Sequence, residues 1–179
     1  LMGGQASAAE PSPPEPGAIS DSEMTQLIDD QENASPYVEA DSPAEAIRTL
    51  DRLEVAPAAA ARATYGPCTL TPSYAYLRKS SGRKAVGTKP KTTCSRYVTS
   101  IRHSTDMRYR SALWWILAGT VKTGPARNSK AHLSKTVAVR CDGTESTGWV
   151  GATLGTIVYR NKTYYARVYT KKATLACGG

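Results

Sequence analysis

The sequence predicts a mainly β fold: an antiparallel β-sandwich, immunoglobulin-like in architecture only, preceded by a Pro-rich and short helical extension. Three observations favour this class. From Tyr65 onward the chain is rich in Thr, Val, Tyr, Lys and Gly, a composition suited to pleated strands. Short alternating segments recur there between turn signals, and four scattered cysteines lie in the same part. We therefore divide the chain into an extension, residues 1–64, and a sandwich domain, residues 65–179.

The charge of the chain changes sign at the same boundary. Residues 1–64 hold three Arg and twelve Asp or Glu, a net charge of −9, whereas residues 65–179 hold twenty Lys or Arg and three acids, a net charge of +17. Opposed blocks of this kind indicate either a polyanionic partner for the basic part or masking of the basic part by the acidic one.

The extension begins with segments that indicate export. Ala6-Ser7-Ala8 is an A-x-A pattern of the kind that signal peptidase cleaves, so residues 1–8 are interpreted as the stub of a signal peptide. Residues 9–20 are rich in proline and predict an extended linker. No run of the sequence reaches the ~18 apolar residues that a membrane span needs. We therefore expect no membrane span and a secreted protein, extracellular or associated with the cell envelope.

Two short helices are predicted after the linker. Ser20 and Glu23 form an S-x-x-E capping box, and Ser42-Pro43 begins a second helix that ends at Pro57. Neither helix is long enough to persist alone in water, so we expect each to dock on the basic part. The apolar stripes are Met24, Leu27 and Ile28 in the first helix and Ala46, Ile47, Leu50 and Leu53 in the second.

Seven strands are predicted in the basic part. Asn161-Lys162 is predicted as the two-residue turn of the clearest hairpin. Alternation along Val137, Val139 and Cys141 places that cysteine on the inner face. The predicted strands span 67–77, 92–102, 109–121, 132–141, 148–160, 163–170 and 173–177.

The strand at 109–121 is apolar on both faces, which is typical of a central strand covered from both sides. The acidic amphipathic helices are the expected cover, with their carboxylates facing Arg108 or Arg110. The side chains expected over Trp114 and Ile116 are Ile47, Leu50 and Leu53. A strand deep in the core and a short buried helix are the alternatives.

The four cysteines predict two disulfides. They lie too far apart for a zinc ribbon or a CxxC redox motif, and an even number of scattered cysteines in a small β domain is typical of an oxidising compartment. Of the three connectivities we favour the sequence-local one, Cys68–Cys94 with Cys141–Cys177. Four buried free thiols are the alternative.

A basic loop at residues 77–91 is the first candidate binding surface. Flexible point charges can follow an anionic polymer without a fixed register. The loop contains no aromatic residue, which argues against specific nucleic-acid binding. A solvated loop that aids solubility is the alternative. Its cations are Arg78, Lys79, Arg83, Lys84, Lys89 and Lys91.

A strand face near the C-terminus is the second candidate surface. Tyr165, Arg167, Tyr169 and Lys171 alternate along one side of a predicted strand, and such a ladder can stack on sugars or on side chains of a partner. An ordinary outer face of a sheet is the alternative. Trp114 completes the candidate binding residues.

Catalytic candidates are few. His103 and Asp106 stand in an HSTD stretch, but adjacency within a turn is not triad geometry. Asp142 and Glu145 could form a glycosidase pair, although Asp142-Gly143 is typical of a turn. No His, Cys or carboxylate cluster has metal-ligand spacing, so we expect neither a metal nor a cofactor.

These patterns predict a secreted, non-enzymatic binding module that contacts an anionic cell-envelope polymer or a protein partner through a basic, tyrosine-bearing surface. Residues 9–64 would act as a linker, a mask or a removable pro-segment. The second hypothesis is a secreted effector, such as a peptidase inhibitor or a toxin, and the third is a small hydrolase.

Overall fold

The computed structural model describes residues 13–30, 34–60 and 62–179, so the predicted signal-peptide stub lies outside the described residues. Three helices and eleven strands make up this part of the chain. The helices are α1 (Asp21–Asp30), α2 (Pro43–Val55) and α3 (Pro57–Ala60). The strands are β1 (Ile19–Ser20), β2 (Ser35–Glu39), β3 (Tyr65–Thr71), β4 (Tyr76–Leu77), β5 (Ala85–Gly87), β6 (Lys91–Ser111), β7 (Trp114–Leu133), β8 (Val139–Arg140), β9 (Gly143–Tyr159), β10 (Lys162–Tyr169) and β11 (Ala173–Gly178).

Five antiparallel strands close into a barrel. The ring runs β6–β3–β2–β10–β9 and returns to β6, which pairs with β3 at residues 91–94 and with β9 at residues 100–109. β7 lies outside the ring as the hairpin partner of β6, and β4, β5 and β8 form a separate small sheet. The mainly β, antiparallel prediction is therefore confirmed, but the sandwich is wrong. A strand of 21 residues is long enough to pair with two neighbours in succession, and local alternation cannot show this.

One strand of the barrel wall comes from the acidic extension. β2 pairs with β3 on one side and with β10 on the other, and its Tyr37 and Val38 are buried. The barrel wall is thus built across the predicted boundary between residues 64 and 65. A removable pro-segment that includes β2 conflicts with this arrangement, because its loss would open the ring.

Both long helices begin at the predicted caps. The Ser20 hydroxyl accepts a hydrogen bond from the Glu23 amide at 3.3 Å, and the Ser42 hydroxyl accepts one from the Glu45 amide at 3.2 Å. α1 packs Met24 against the wall. α2 buries Ala46 and Leu50 of its predicted apolar stripe, whereas Ile47 of the same stripe is exposed.

The apolar segment at 109–121 contains a hairpin turn and is not one strand. β6 ends at Ser111 and β7 begins opposite it at Trp114, so Ala112-Leu113 forms the turn, with Ala112 in the left-handed region at φ 51°. An acidic helix covers this segment, and its Asp21 carboxylate pairs with Arg110 at 3.1 Å, but the helix is α1 and not α2, which carries Leu50. Trp115 is fully buried beneath α1 and donates its indole N–H to the Asp21 carboxylate at 3.0 Å. α1 takes this place because it directly follows β1, which pairs with β7.

The predicted hairpin between β9 and β10 is present with a shifted turn. Arg160 and Asn161 form the turn, at φ 49° and 61°, and Tyr159 faces Lys162 as the first strand pair. Asn161-Lys162 was therefore misplaced by one residue. Asparagine tolerates the left-handed region, which suits it to the second turn position.

Both predicted disulfides are present, in the sequence-local pairing. Cys68–Cys94 joins directly opposed residues of β3 and β6, so it fixes one seam of the barrel. Cys141–Cys177 ties the segment between β8 and β9 to the C-terminal strand β11.

α2 is held to the barrel by an ion-pair cluster around Arg167. Arg167 is only 9% exposed, and its guanidinium donates to the Asp51 carboxylate at 2.6 Å and to the Glu54 carboxylate at 3.2 Å. Removing the partners of a buried cation strongly lowers the free energy of unfolding. Replacing the whole ion pair by apolar side chains of similar volume changes it little.

We expect Asp51→Asn with Glu54→Gln to lower the free energy of unfolding by about 2 kcal/mol, because the guanidinium keeps its burial and loses both counter-charges. Adding Arg167→Met to this double variant should recover most of the loss, as measured by chemical denaturation. Equal stability of the double variant and the wild type, or a further loss in the triple variant, would contradict this view of the cluster.

Candidate functional site

A groove of about 630 Å³ lies where the small sheet meets the start of β6 and the end of β7. We call it the tyrosine–lysine groove. Two tyrosines, a leucine pair and several cations line it, so that apolar and positively charged surface lie side by side. The lining residues are Tyr74, Tyr76, Leu77, Arg78, Lys79, Ser80, Lys89, Leu133 and Lys135.

The wall of the groove is an ordered hairpin, not the flexible loop that the sequence predicts. β4 and β5 pair, and between them Lys79–Ser81 forms a 3₁₀ turn that ends at Gly82, φ 62°. The Arg78 carbonyl accepts hydrogen bonds from the Arg83 amide at 2.9 Å and from the Ser81 hydroxyl at 3.0 Å. The serines and the glycine therefore fix the turn.

Arg78 has a structural position in this wall. Its guanidinium donates to the carbonyls of Lys135 at 3.0 Å and Val137 at 2.7 Å, which holds the segment after β7 against the hairpin. Gly87 allows this close approach, because the Val137 carbonyl occupies the space that a β-carbon would need. Arg78 thus shapes the groove, and its donors are used within the protein.

Tyr74 and Tyr76 supply the aromatic surface that the sequence reasoning missed. Their rings meet edge to face with centroids 5.7 Å apart, and the Lys89 ammonium lies 5.2 Å from the centre of the Tyr76 ring. Tyr74 is 69% exposed. The signal was the Tyr-Ala-Tyr alternation just before the basic loop, with Ala75 as the buried residue between them.

The other predicted loop cations have different positions. Arg83 and Lys84 are exposed on the turn and outside the groove lining. Lys91 begins β6 directly opposite Leu133, so it borders the groove. The structure therefore brings Lys79 and Lys89 together in the groove and adds Lys135, which sequence reasoning did not single out.

The predicted C-terminal binding face is covered. Tyr165, Arg167 and Tyr169 are 6%, 9% and 7% exposed, because α2 and α1 pack over β10. Burial raises the pKa of Tyr165 and of Tyr169. The ladder is thus wrong as an open binding surface, although Lys171 beyond it is exposed. Trp114 lies beside β1, away from the groove lining.

The two histidines belong to a hydrogen-bonded row of side chains in and beside the barrel. His103 stands within β6, not in a turn, and its ring nitrogens lie 2.7 Å from the hydroxyls of Thr92 and Ser134. The Thr92 hydroxyl lies 2.6 Å from the Tyr37 hydroxyl. On the other side, Ser134 meets Thr123 at 2.6 Å, and Thr123 meets His132 at 3.1 Å.

Burial, with His132 alongside as a smaller cause, lowers the pKa of His103 to about 3. Burial also lowers the pKa of His132. The hydrogen-bond partners of both rings are hydroxyls, so this row is an internal polar network of neutral groups. It gives the histidines a role in holding β6, β7 and β2 together.

The acidic residues of the basic part lie elsewhere. Asp106 accepts a hydrogen bond from the Thr120 hydroxyl at 2.6 Å, and the Glu145 carboxylate lies against Gly143 and Gly178 near the C-terminal strand. Within residues 13–30, 34–60 and 62–179, no group of three or more His, Cys, Asp or Glu is arranged to hold a metal ion.

Comparison of the chain with protein-family models, with curated proteins and with solved structures gave no match. Among the helices of the described residues, none combines the length and the apolar character that crossing a membrane requires.

Acid should destabilise the fold through His103. Its folded pKa lies below the unfolded value of 6.5, so the unfolded chain binds more protons, and stability falls as the pH drops from about 6.5 towards 3. The expected slope is ~1.4 kcal/mol per pH unit for this one group.

We expect His103→Gln to reduce the slope of unfolding free energy against pH in this window, measured by urea denaturation at a series of pH values. Titrating carboxylates contribute equally to both proteins and cancel in the comparison. Parallel curves for the two proteins would contradict the assignment.

Proposed function

We propose that this protein is a secreted, non-enzymatic binding module that holds an anionic cell-envelope polymer in the tyrosine–lysine groove. The observation that carries the proposal is the joint lining of one groove by Lys79, Lys89 and Lys135 with the rings of Tyr74 and Tyr76. Cations attract a charged chain, and the adjacent rings offer apolar surface to its uncharged parts.

The distribution of ion pairs supports this choice of surface. Carboxylates of the acidic extension contact cations of the barrel, and within the described part of the chain these paired cations are not among the residues that line the groove. Three lysines of the groove, Lys79, Lys89 and Lys135, are exposed to solvent, whereas other cations of the chain are neutralised. The pairs are Asp21–Arg110, Asp21–Lys172, Glu39–Lys162, Asp51–Arg167 and Glu54–Arg167.

The rigidity of the groove also supports a binding role. The hairpin wall is held by the Arg78 guanidinium on one side, and the Ser134 amide donates to the Pro90 carbonyl at 3.1 Å on the other. A pre-formed groove loses little conformational freedom when a ligand enters it. The two disulfides are compatible with an extracellular setting, where envelope polymers are found.

Removal of two groove cations should weaken binding to a linear polyanion. We expect Lys89→Ala with Lys135→Ala to lower the affinity for polygalacturonate about tenfold at low salt and to flatten its salt dependence, because fewer counterions are released. Isothermal titration calorimetry across a NaCl series measures both effects.

The matched control is Arg102→Ala with Lys122→Ala, which removes the same charge from two exposed residues outside the groove. This control should retain most of the wild-type affinity. An equal loss of affinity in both double variants would show that binding depends on overall charge alone, and the groove would then not be the binding site.

A further inference from the structure

We infer that the ligand of the groove is a linear acidic polysaccharide that continues beyond it, along the outer face of the β6–β7 hairpin, to a second contact at Tyr97 and Lys130. This inference rests on the proposed function and names the chemistry and the length of its ligand.

The strand register makes the groove continuous with this outer face. Leu133 lines the groove and lies directly opposite Lys91, and the next exposed pair along the hairpin is Thr93 with Ala131. Lys130 is the residue of β7 next to Ala131. Lys130 is three residue steps from Leu133 along the strand, a span of ~10 Å. A chain that leaves the groove along β7 therefore reaches Lys130 after a short distance.

An irregularity in β6 exposes the second contact. From the pair Thr93–Ala131 to the pair Val98–Ser129, β6 advances by five residues but β7 advances by only two. Three extra residues of β6 therefore bulge from the ladder. Val98 returns to the core with 1% exposure, while the preceding Tyr97 is 63% exposed. The Lys130 ammonium lies 5.1 Å from the centre of the Tyr97 ring. The bulge thus aims an aromatic ring outward beside a cation.

We call the path from the groove to Tyr97 and Lys130 the track. The same arrangement of side chains is found at both of its ends. At Tyr76 and at Tyr97, a lysine ammonium lies over one face of a tyrosine ring, at 5.2 Å and 5.1 Å. A sugar acid carries a carboxylate on a ring whose C–H bonds form apolar faces. One such unit can therefore pair its carboxylate with the ammonium and lay its ring against the tyrosine beside it.

The same geometry disfavours a single-stranded nucleic acid. Successive bases stack best on parallel faces, whereas the rings of Tyr74 and Tyr76 are inclined at 60°. A polymer of charged sugar units matches the alternation of ring and cation better.

The test is a length series of oligogalacturonates, from the monomer to long chains, titrated into the full chain and two variants. For the wild type, affinity should rise with length until the oligomer reaches Tyr97, and then level off. Tyr97→Ala with Lys130→Ala should leave the shortest oligomers unaffected and should lower the affinity for long ones about tenfold, because the second contact is intramolecular once the first is made.

The outcomes separate this inference from the proposed function. If Tyr97→Ala with Lys130→Ala binds long oligomers as tightly as the wild type, the track is wrong and the groove stands. If Lys89→Ala with Lys135→Ala also changes no affinity, the groove itself is wrong. The inference that the ligand is a polysaccharide would be overturned if an oligothymidylate bound more tightly than an oligogalacturonate of equal charge at the same salt. All four residues are exposed, and circular dichroism checks that each variant folds.

Discussion

The pairing of one long strand with two neighbours on the barrel ring governs the rest of this structure. β6 pairs first with β3 and then with β9, so the wall must return to β6 through β10 and β2. β2 lies between α1 and α2 in the acidic extension, and ring closure therefore fixes where both of these helices lie. α1 covers Trp115 and α2 covers Arg167, which places the carboxylates of the extension over those sides of the barrel.

Because ring closure fixes the positions of α1 and α2, neither helix covers the tyrosine–lysine groove. The helices occupy the face formed by β10 and part of β7, whereas the groove lies at the other end of β7, beside the small sheet of β4, β5 and β8. The strongly opposed charges of the chain are thus partly paired and partly separated. The acidic extension neutralises cations such as Arg110 and Arg167, whereas Lys89 and Lys135 line the groove in which we propose that an anionic polymer binds.

Local signals in the sequence predict several individual elements, but they do not predict how these elements assemble into the barrel. The caps at Ser20 and Ser42 depend on residues within one turn, so both were predictable. Both disulfides join cysteines that are neighbours in the order of the four, as the sequence-local pairing predicts. Ring closure depends on pairing between strands far apart in sequence, and alternation does not encode it. For the same reason, Tyr165 was predicted as an outer-face residue although α2 covers it, and Tyr74 was overlooked because only folding brings it to Lys135.

The most direct test of the central claim is an amide NMR titration of the full chain with a galacturonate oligomer that is too short to reach Tyr97 from the groove. Binding in the groove predicts shifts confined to the segments that form it, around residues 74–80, 89–91 and 131–135, with α1 and α2 unperturbed. Shifts centred on the helices or spread evenly over the cationic surface would contradict it.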